Sequence, residues 1–477
     1  MMRSTKIVAT LGPASSEPAV LERMFLAGVD VVRLNFSHGT SEDHRKRAQV
    51  VREVGSKVGR TVGILADLQG PKIRVGKFKD GKILLRPGDK FVLDASCELG
   101  DAGRAGLDYK ELPRDVRAGD VLLLDDGKIV LDVSIVRGTE IHTVTRHGGV
   151  LSNNKGINRQ GGGLTAPALT PKDIDDIRTA AEMHVDYLAV SFPKSGADMY
   201  MAKELLRAAK GHALLIAKIE RAEAIPALEE IMKASDGIMV ARGDLAVEVG
   251  DAAVPALQKR MIRQARELNK VTITATQMME SMITSPVPTR AEVSDVANAV
   301  LDGTDAVMLS AESASGQYPV ETIEAMNRIC IAAEQSQVLT LDREFLDRVF
   351  TRVDQSIAMA ALFTAFHLKV KAIASLTESG STALWMSRLN CGVPIYALTA
   401  QTATRYRCTL LRDTYPLMVK YVGHDREELL AEAEAVLVRN GAVQDGDLIV
   451  LTIGEPIGKS GGTNTMKIVR VGEQRKG

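Results

Sequence analysis

Ala213-Leu-Leu-Ile-Ala-Lys-Ile-Glu-Arg-Ala-Glu-Ala-Ile225 opens with an apolar run, Ala213 to Ala217, of the kind a fully buried strand needs. Lys218 and Glu220 follow at the strand's end, and their spacing of two puts both side chains on one face. Arg221, Glu223 and Glu229 then begin a helical pattern. A lysine and a glutamate leaving a buried strand together are costly unless something there uses both charges. The next unit repeats the design: Asp236-Gly-Ile-Met-Val-Ala241 is apolar and ends in Arg242-Gly243-Asp244. Acids at the ends of successive strands make a pair of ligands for a hard divalent cation. The plainer alternative is a salt bridge between Lys218 and one of the acids.

Outward from this pair the same strand–helix rhythm holds. Lys6–Thr10, Asp30–Phe36 and Thr61–Ala66 read as strands one to three, with a helix from about Glu17 and another capped by Ser41. Asp186–Ser191 reads as strand four; the runs before Lys218 and Arg242 are five and six; Val271–Ala275 and Asp305–Leu309 are seven and eight. Eight such βα units predict a closed parallel (β/α)8 TIM barrel over residues 1–69 and 164–338. Between them, residues 70–163 change to short alternating runs separated by Gly, Asp and Pro turns, which predicts a small inserted β-barrel domain. It leaves the loop after strand three, on the face where barrels carry their sites, and is placed to act as a lid. Residues 339–477 alternate again, with strands at Ala372–Leu376, Pro394–Leu398, Leu417–Lys420 and Asp447–Thr452, and read as a separate C-terminal α/β domain.

Sixty basic residues balance sixty acidic ones among 477, so there is no electrostatic case for nucleic acid or an anionic membrane surface. No run of about 20 apolar residues is present, and the start carries no apolar signal segment. Cys97, Cys330, Cys391 and Cys408 lack metal spacing and read as reduced thiols. The expectation is a soluble cytoplasmic protein.

Polar residues converge where the predicted strands end: Arg33, Asn35 and Ser37 after two; Asp67 after three; Lys218 and Glu220 after five; Asp244 after six; Thr276 after seven; Ser310 and Glu312 after eight. Solvation of loop starts does not require lysine and arginine beside a carboxylate pair. Two carboxylates for a divalent cation, with cations around them, are the equipment of phosphoryl transfer.

The run ending in Lys218-Ile-Glu-Arg221 resembles the active-site signature of the pyruvate kinases. Met239-Val-Ala-Arg-Gly-Asp-Leu245, Thr274-Ala-Thr-Gln-Met-Met-Glu-Ser281, Pro288–Val300 and Asp302–Glu312 are similar to further blocks of that family, in order. The resemblance implies transfer of the phosphoryl group of phosphoenolpyruvate to ADP, giving pyruvate and ATP. It implies that Glu220 and Asp244 hold Mg²⁺, or alternatively Mn²⁺; that Gly243, Asp244 and Thr276 receive the substrate carboxylate; and that Lys218 and Arg33 surround the moving phosphoryl group. It places Thr276 near the enolate carbon that must be protonated. Ser310 and Glu312 fall on a water relay, with a structural role the equal alternative. For nucleotide it implies the segment Arg33 to His38, including Asn35, with Arg74 and the Lys155 of Asn153-Asn-Lys-Gly-Ile157.

Two further expectations come from the resemblance. Thr377, Ser379, Gly380, Ser381 and Thr382 form a loop that binds an activator's phosphate, closed by Gly458-Lys-Ser-Gly-Gly-Thr463. Its single cation, Lys459, favours AMP or a sugar monophosphate as the phosphorylated effector over a bisphosphate. The K⁺ position of the family corresponds to Asn35, Ser37, Asp67 and the Leu68 carbonyl. Here Lys72 replaces the usual glutamate and Leu68-Gln69 replaces Thr-Lys, so K⁺ is not expected to be required. Ala246 stands where relatives usually have glycine. A homotetramer is expected from the family alone. The rival enzyme class is a barrel lyase or aldolase acting through a Mg²⁺-enolate, which does not need a nucleotide lid.

Overall fold

The computed structural model describes residues 2–337, 349–420, 425–458 and 460–473. The expected start of the C-terminal region near Leu339, and Lys459, lie outside the described residues.

Eight strands close a parallel barrel: β1 Lys6–Thr10, β2 Val31–Asn35, β3 Gly63–Asp67, β4 Tyr187–Val190, β5 Leu214–Ile219, β6 Gly237–Ala241, β7 Val271–Ala275 and β8 Ala306–Leu309. β1 pairs with both β2 and β8, which closes the ring. Nearly every strand residue is buried, because helices cover the outside while side chains fill the inside. β5 runs further than the apolar stretch suggests, carrying Lys218 and Ile219 within the sheet.

The helix Ser41–Lys57 is capped by Thr40 rather than Ser41. Thr40 is extended, its hydroxyl accepts from the Asp43 amide at 3.2 Å, and Asp43 accepts from the Thr40 amide at 2.8 Å. This reciprocal pair satisfies two amides at once, and Ser41 becomes the first helical residue.

The insertion begins at Gly70, whose φ is +67° and whose added Cβ would lie 2.7 Å from the Ser191 Cβ; only glycine fits there. Its largest sheet has six strands, with two further two-stranded pairs, around a core that includes Phe91, Leu122 and Ile141.

In the C-terminal region five strands lie in the order Thr414–Met418, Ile395–Thr399, Ala372–Leu376, Leu448–Gly454, Thr463–Arg470. The last is antiparallel and was not expected from the sequence. This region packs against the bottom of the barrel. Inward-facing Val8, Leu65 and Met239 share one apolar cluster with Ala361, Ile373 and Met386. Arg388 grips Asp305 at the foot of β8 with both guanidinium nitrogens, and both side chains are buried. No helix among the described residues is long and apolar enough to cross a membrane.

Candidate active site

The C-terminal ends of β2 to β7 bring the charged residues of the rim together. Lys218 Nζ lies 3.0 Å from Glu220 Oε1, 3.2 Å from Asp67 Oδ1 and 2.7 Å from Ser191 Oγ. An ammonium has three N–H donors, so all of them are engaged. The salt bridge weighed as an alternative for Lys218 is therefore present, and it coexists with the convergence of charge. Arg33 Nε donates to the other oxygen of Asp67 at 2.6 Å, which links β2, β3 and β5 through one buried carboxylate. Lys72, at the base of the insertion, contacts Asp244 Oδ1 at 3.2 Å.

Burial and charge act against one another here. Burial alone would lower Lys218, but Asp67 and Glu220 outweigh it and hold the ammonium above its ordinary range. Burial would raise Asp67, yet Arg33 and Lys218 pull it below the usual carboxylate range. Glu220 is raised, first by burial and then by the charges of Asp244 and Asp67, against the pull of Lys218. Asp67 is thus matched by two cations, whereas Glu220 shares Lys218 with Asp67 and stands beside a second carboxylate, Asp244. That is the local chemistry a divalent cation would relieve. Among the described residues no group of three or more His, Cys, Asp or Glu side chains gathers as a cage. Two carboxylates with the remaining positions left to substrate and water suit a hard divalent cation.

Thr276 follows β7 with φ +70°, an uncommon conformation for a β-branched residue. That geometry brings Thr276 Oγ1 to accept from the Gly243 amide at 2.8 Å, at the first turn of the helix Arg242–Val249. Arg242 braces this corner by donating to the Thr276 carbonyl at 2.7 Å and pairing with Asp295 at 2.7 Å. Gly243 and Thr276, both expected to face one substrate carboxylate, are therefore neighbours.

Asn35 Oδ1 accepts from the Ser37 amide at 3.1 Å, and His38 is exposed beyond it. Arg74 and Lys155 lie on adjoining antiparallel segments at the base of the insertion, where the Val75 amide donates to the Lys155 carbonyl at 2.9 Å. Lys155 Nζ pairs with Asp125 at 2.7 Å, and Arg74 donates to the Asn154 carbonyl at 3.0 Å. The Leu68 carbonyl accepts from Ser191 Oγ at 2.7 Å. Glu312 is buried and uses both oxygens on backbone amides, those of Ser310 at 2.7 Å and Met279 at 3.2 Å. It ties the loops after β7 and β8 together. In the C-terminal region Thr377 Oγ1 accepts from the Gly380 amide at 2.9 Å. Thr382 Oγ1 meets Thr463 Oγ1 at 2.7 Å, joining the two loops expected to enclose an effector.

The comparisons with known proteins agree with this geometry. A sequence model described as "Pyruvate kinase, barrel domain" matches residues 2–323, and "Pyruvate kinase, alpha/beta domain" matches residues 355–469. The chain belongs to the pyruvate kinase family. "Pyruvate kinase II" of Salmonella typhimurium is 53% identical over 98% of this chain and 99% of its own length. "Pyruvate kinase" of Haemophilus influenzae is 52% identical over 95% of this chain and 96% of its own. The relative from Staphylococcus haemolyticus is 42% identical over 99% of this chain and 81% of its own length. Membership makes the chain an enzyme of the kinase type on a TIM-type barrel, in a family that requires a divalent metal.

Ser191 and Phe192, at the end of β4, are the part of the site that sequence reasoning missed. Phe192 has φ +56°, and its amide donates to Glu220 Oε2 at 2.9 Å. A serine ending the fourth strand was visible in the sequence; nothing there marked it off from an ordinary strand terminus.

Proposed function

We propose that the barrel rim transfers the phosphoryl group of phosphoenolpyruvate to ADP, giving pyruvate and ATP, the last step of glycolysis. The observation that carries this reading is Lys218: its ammonium is buried, held charged between Asp67 and Glu220, and set beside Arg33. The bond from phosphorus to the enol oxygen breaks, and one to the terminal oxygen of ADP forms. Lys218 and Arg33 stabilise the negative charge as it moves between these oxygens. Glu220 and Asp244 hold Mg²⁺, or Mn²⁺ in its place. Its chemistry is added positive charge against the carboxylate and phosphoryl oxygens of the substrate. Gly243 and Thr276 receive the substrate carboxylate, exchanging their mutual hydrogen bond for bonds to it. In this reading Thr276 also serves the protonation of the enolate carbon. Glu312 supports Ser310 and the loop after β7, which favours a structural role over a relay.

Asn35, His38, Arg74 and Lys155 bind the nucleotide; the adjacency of Arg74 and Lys155 lets one lid movement deliver both to phosphates. Thr377 to Thr382 receive the phosphate of an activator, AMP or a sugar monophosphate. Lys72 takes the place of K⁺. The protein works as a homotetramer in the cytoplasm.

A coupled assay of pyruvate formation from phosphoenolpyruvate tests this. We expect formation only with ADP and a divalent cation present. Pyruvate formed equally without ADP would replace the reading by a phosphatase- or lyase-type barrel.

A further inference from the structure

We infer that Ser191 is a positioning residue that fixes the Lys218 ammonium for phosphoryl transfer, and that it does so because the Leu68 carbonyl fixes Ser191. The inference rests on the role proposed above for Lys218.

Ser191 is 1% exposed, so water cannot replace its partners. A serine hydroxyl has one proton to give. It lies 2.7 Å from the Leu68 carbonyl, which can only accept, and 2.7 Å from Lys218 Nζ, which as an ammonium can only donate. The two contacts leave a single arrangement: the hydroxyl donates to Leu68 and accepts from Lys218. Its rotor is locked from one side, and its lone pair is aimed from the other. Asp67 Oδ1, at 3.5 Å, is a long third neighbour.

The other two partners of Lys218 are carboxylates with further duties. Asp67 also binds Arg33, and Glu220 faces Asp244 and takes the Phe192 amide. The Lys218 chain has long methylene reach and several rotatable bonds, so two acids alone leave it free to lean toward either. The neutral hydroxyl supplies the third direction. It is also the only one of the three whose acceptor carries no charge, so it lacks the Coulomb attraction that holds the other two. Of the three it is the one most readily exchanged for a phosphoryl oxygen. Gly70 makes room for this: an added Cβ there would meet the Ser191 Cβ at 2.7 Å. The turn that starts the inserted domain is packed directly on the serine that orients the lysine.

The test is Ser191→Ala, with Ser191→Cys as a variant that keeps an atom at the hydroxyl position but offers only a weak acceptor. We expect both to retain the melting temperature within a few degrees and KM for ADP within about twofold, while kcat falls about 10- to 100-fold, the range seen when groups that orient a site's ligands are removed. In a Lys218→Met chain, Ser191→Ala should change the residual rate less than about twofold, because residues acting as one unit are non-additive. If the alanine variant does not fold, the cysteine variant carries the same comparison. Unchanged kcat in either folded variant, or an equal additional loss on the Lys218→Met background, overturns the inference. A Lys218→Met chain of normal turnover would instead overturn the role of Lys218 itself, so the two failures are distinguishable.

Discussion

Lys72 Nζ lies 3.2 Å from Asp244 Oδ1 and joins the base of the inserted domain to the first turn of the helix after β6. Three carboxylates, Asp67, Glu220 and Asp244, thus face three cations, Arg33, Lys218 and Lys72. The groups corresponding to a K⁺ position are otherwise engaged: Asp67 with Arg33 and Lys218, the Leu68 carbonyl with Ser191, and Asn35 with Ser37.

A tethered ammonium does not lose binding entropy as a free cation does. We expect substantial activity with tetramethylammonium as the only monovalent cation, and little gain on adding K⁺. Lys72→Glu reverses the charge facing Asp244; two charge units at roughly 4 Å are worth ~2 kcal/mol even in bulk water, more than tenfold in rate. Steady-state kinetics with each salt measure both. A large stimulation of the unmodified protein by K⁺ would return Asn35, Ser37, Asp67 and Leu68 to the role of cation ligands.

The effector loop gives a second expectation. Ser379 is exposed and donates to Ser381 Oγ at 3.2 Å, whereas Thr382 is buried against Thr463. Ser379→Asp combined with Ser381→Asp adds like charge at the phosphate position without entering the core. Activation by AMP and by sugar monophosphates should be lost while activity at saturating phosphoenolpyruvate is kept. Titration with each phosphate reads this, and full activation in the double variant would remove the site.

Asp413 gives a pH dependence of stability. Burial pushes its carboxyl up to about 7, against the pull of Arg412 and Lys6. The folded chain therefore holds the proton more tightly than the unfolded one. The stabilisation is complete below about pH 4 and is lost as pH rises through about 7. Asn keeps the φ of +56° and the contact with the Ser4 hydroxyl. The stability of Asp413→Asn relative to the unmodified protein, read from the two melting temperatures, should rise by roughly 2–3 kcal/mol from pH 5 to pH 8. A difference that stays constant with pH would contradict the assignment.

The barrel was legible because its strands are continuous apolar runs, and their number and order leave little choice of fold. The charges at the rim were legible for the related reason that Lys218, Glu220 and Asp244 stand where an apolar strand stops. What escaped reading depends on partners far apart in the chain or on backbone groups. Ser191, which was not singled out, matters through the Leu68 carbonyl; Glu312 and Lys72 were named from the sequence, but their contacts with the Met279 amide and Asp244 were not. None of these partners alters the local pattern. Thr40 and Ser41 offer equivalent hydroxyls side by side, and only the backbone turn at Thr40 separates cap from first turn. The strand Thr463–Arg470 follows a glycine-rich loop and mixes polar and apolar residues at a sheet edge, where alternation is weak.

The most direct measurement is phosphoryl transfer to ADP by a Lys218→Met chain, made together with calorimetric binding of phosphoenolpyruvate in the presence of Mg²⁺. Methionine keeps the volume of the stem and removes the charge. The account predicts a folded protein that still binds substrate and metal but turns over at least about 100-fold more slowly, a loss of roughly 3 kcal/mol or more of transition-state stabilisation. Turnover near that of the unmodified chain would contradict it.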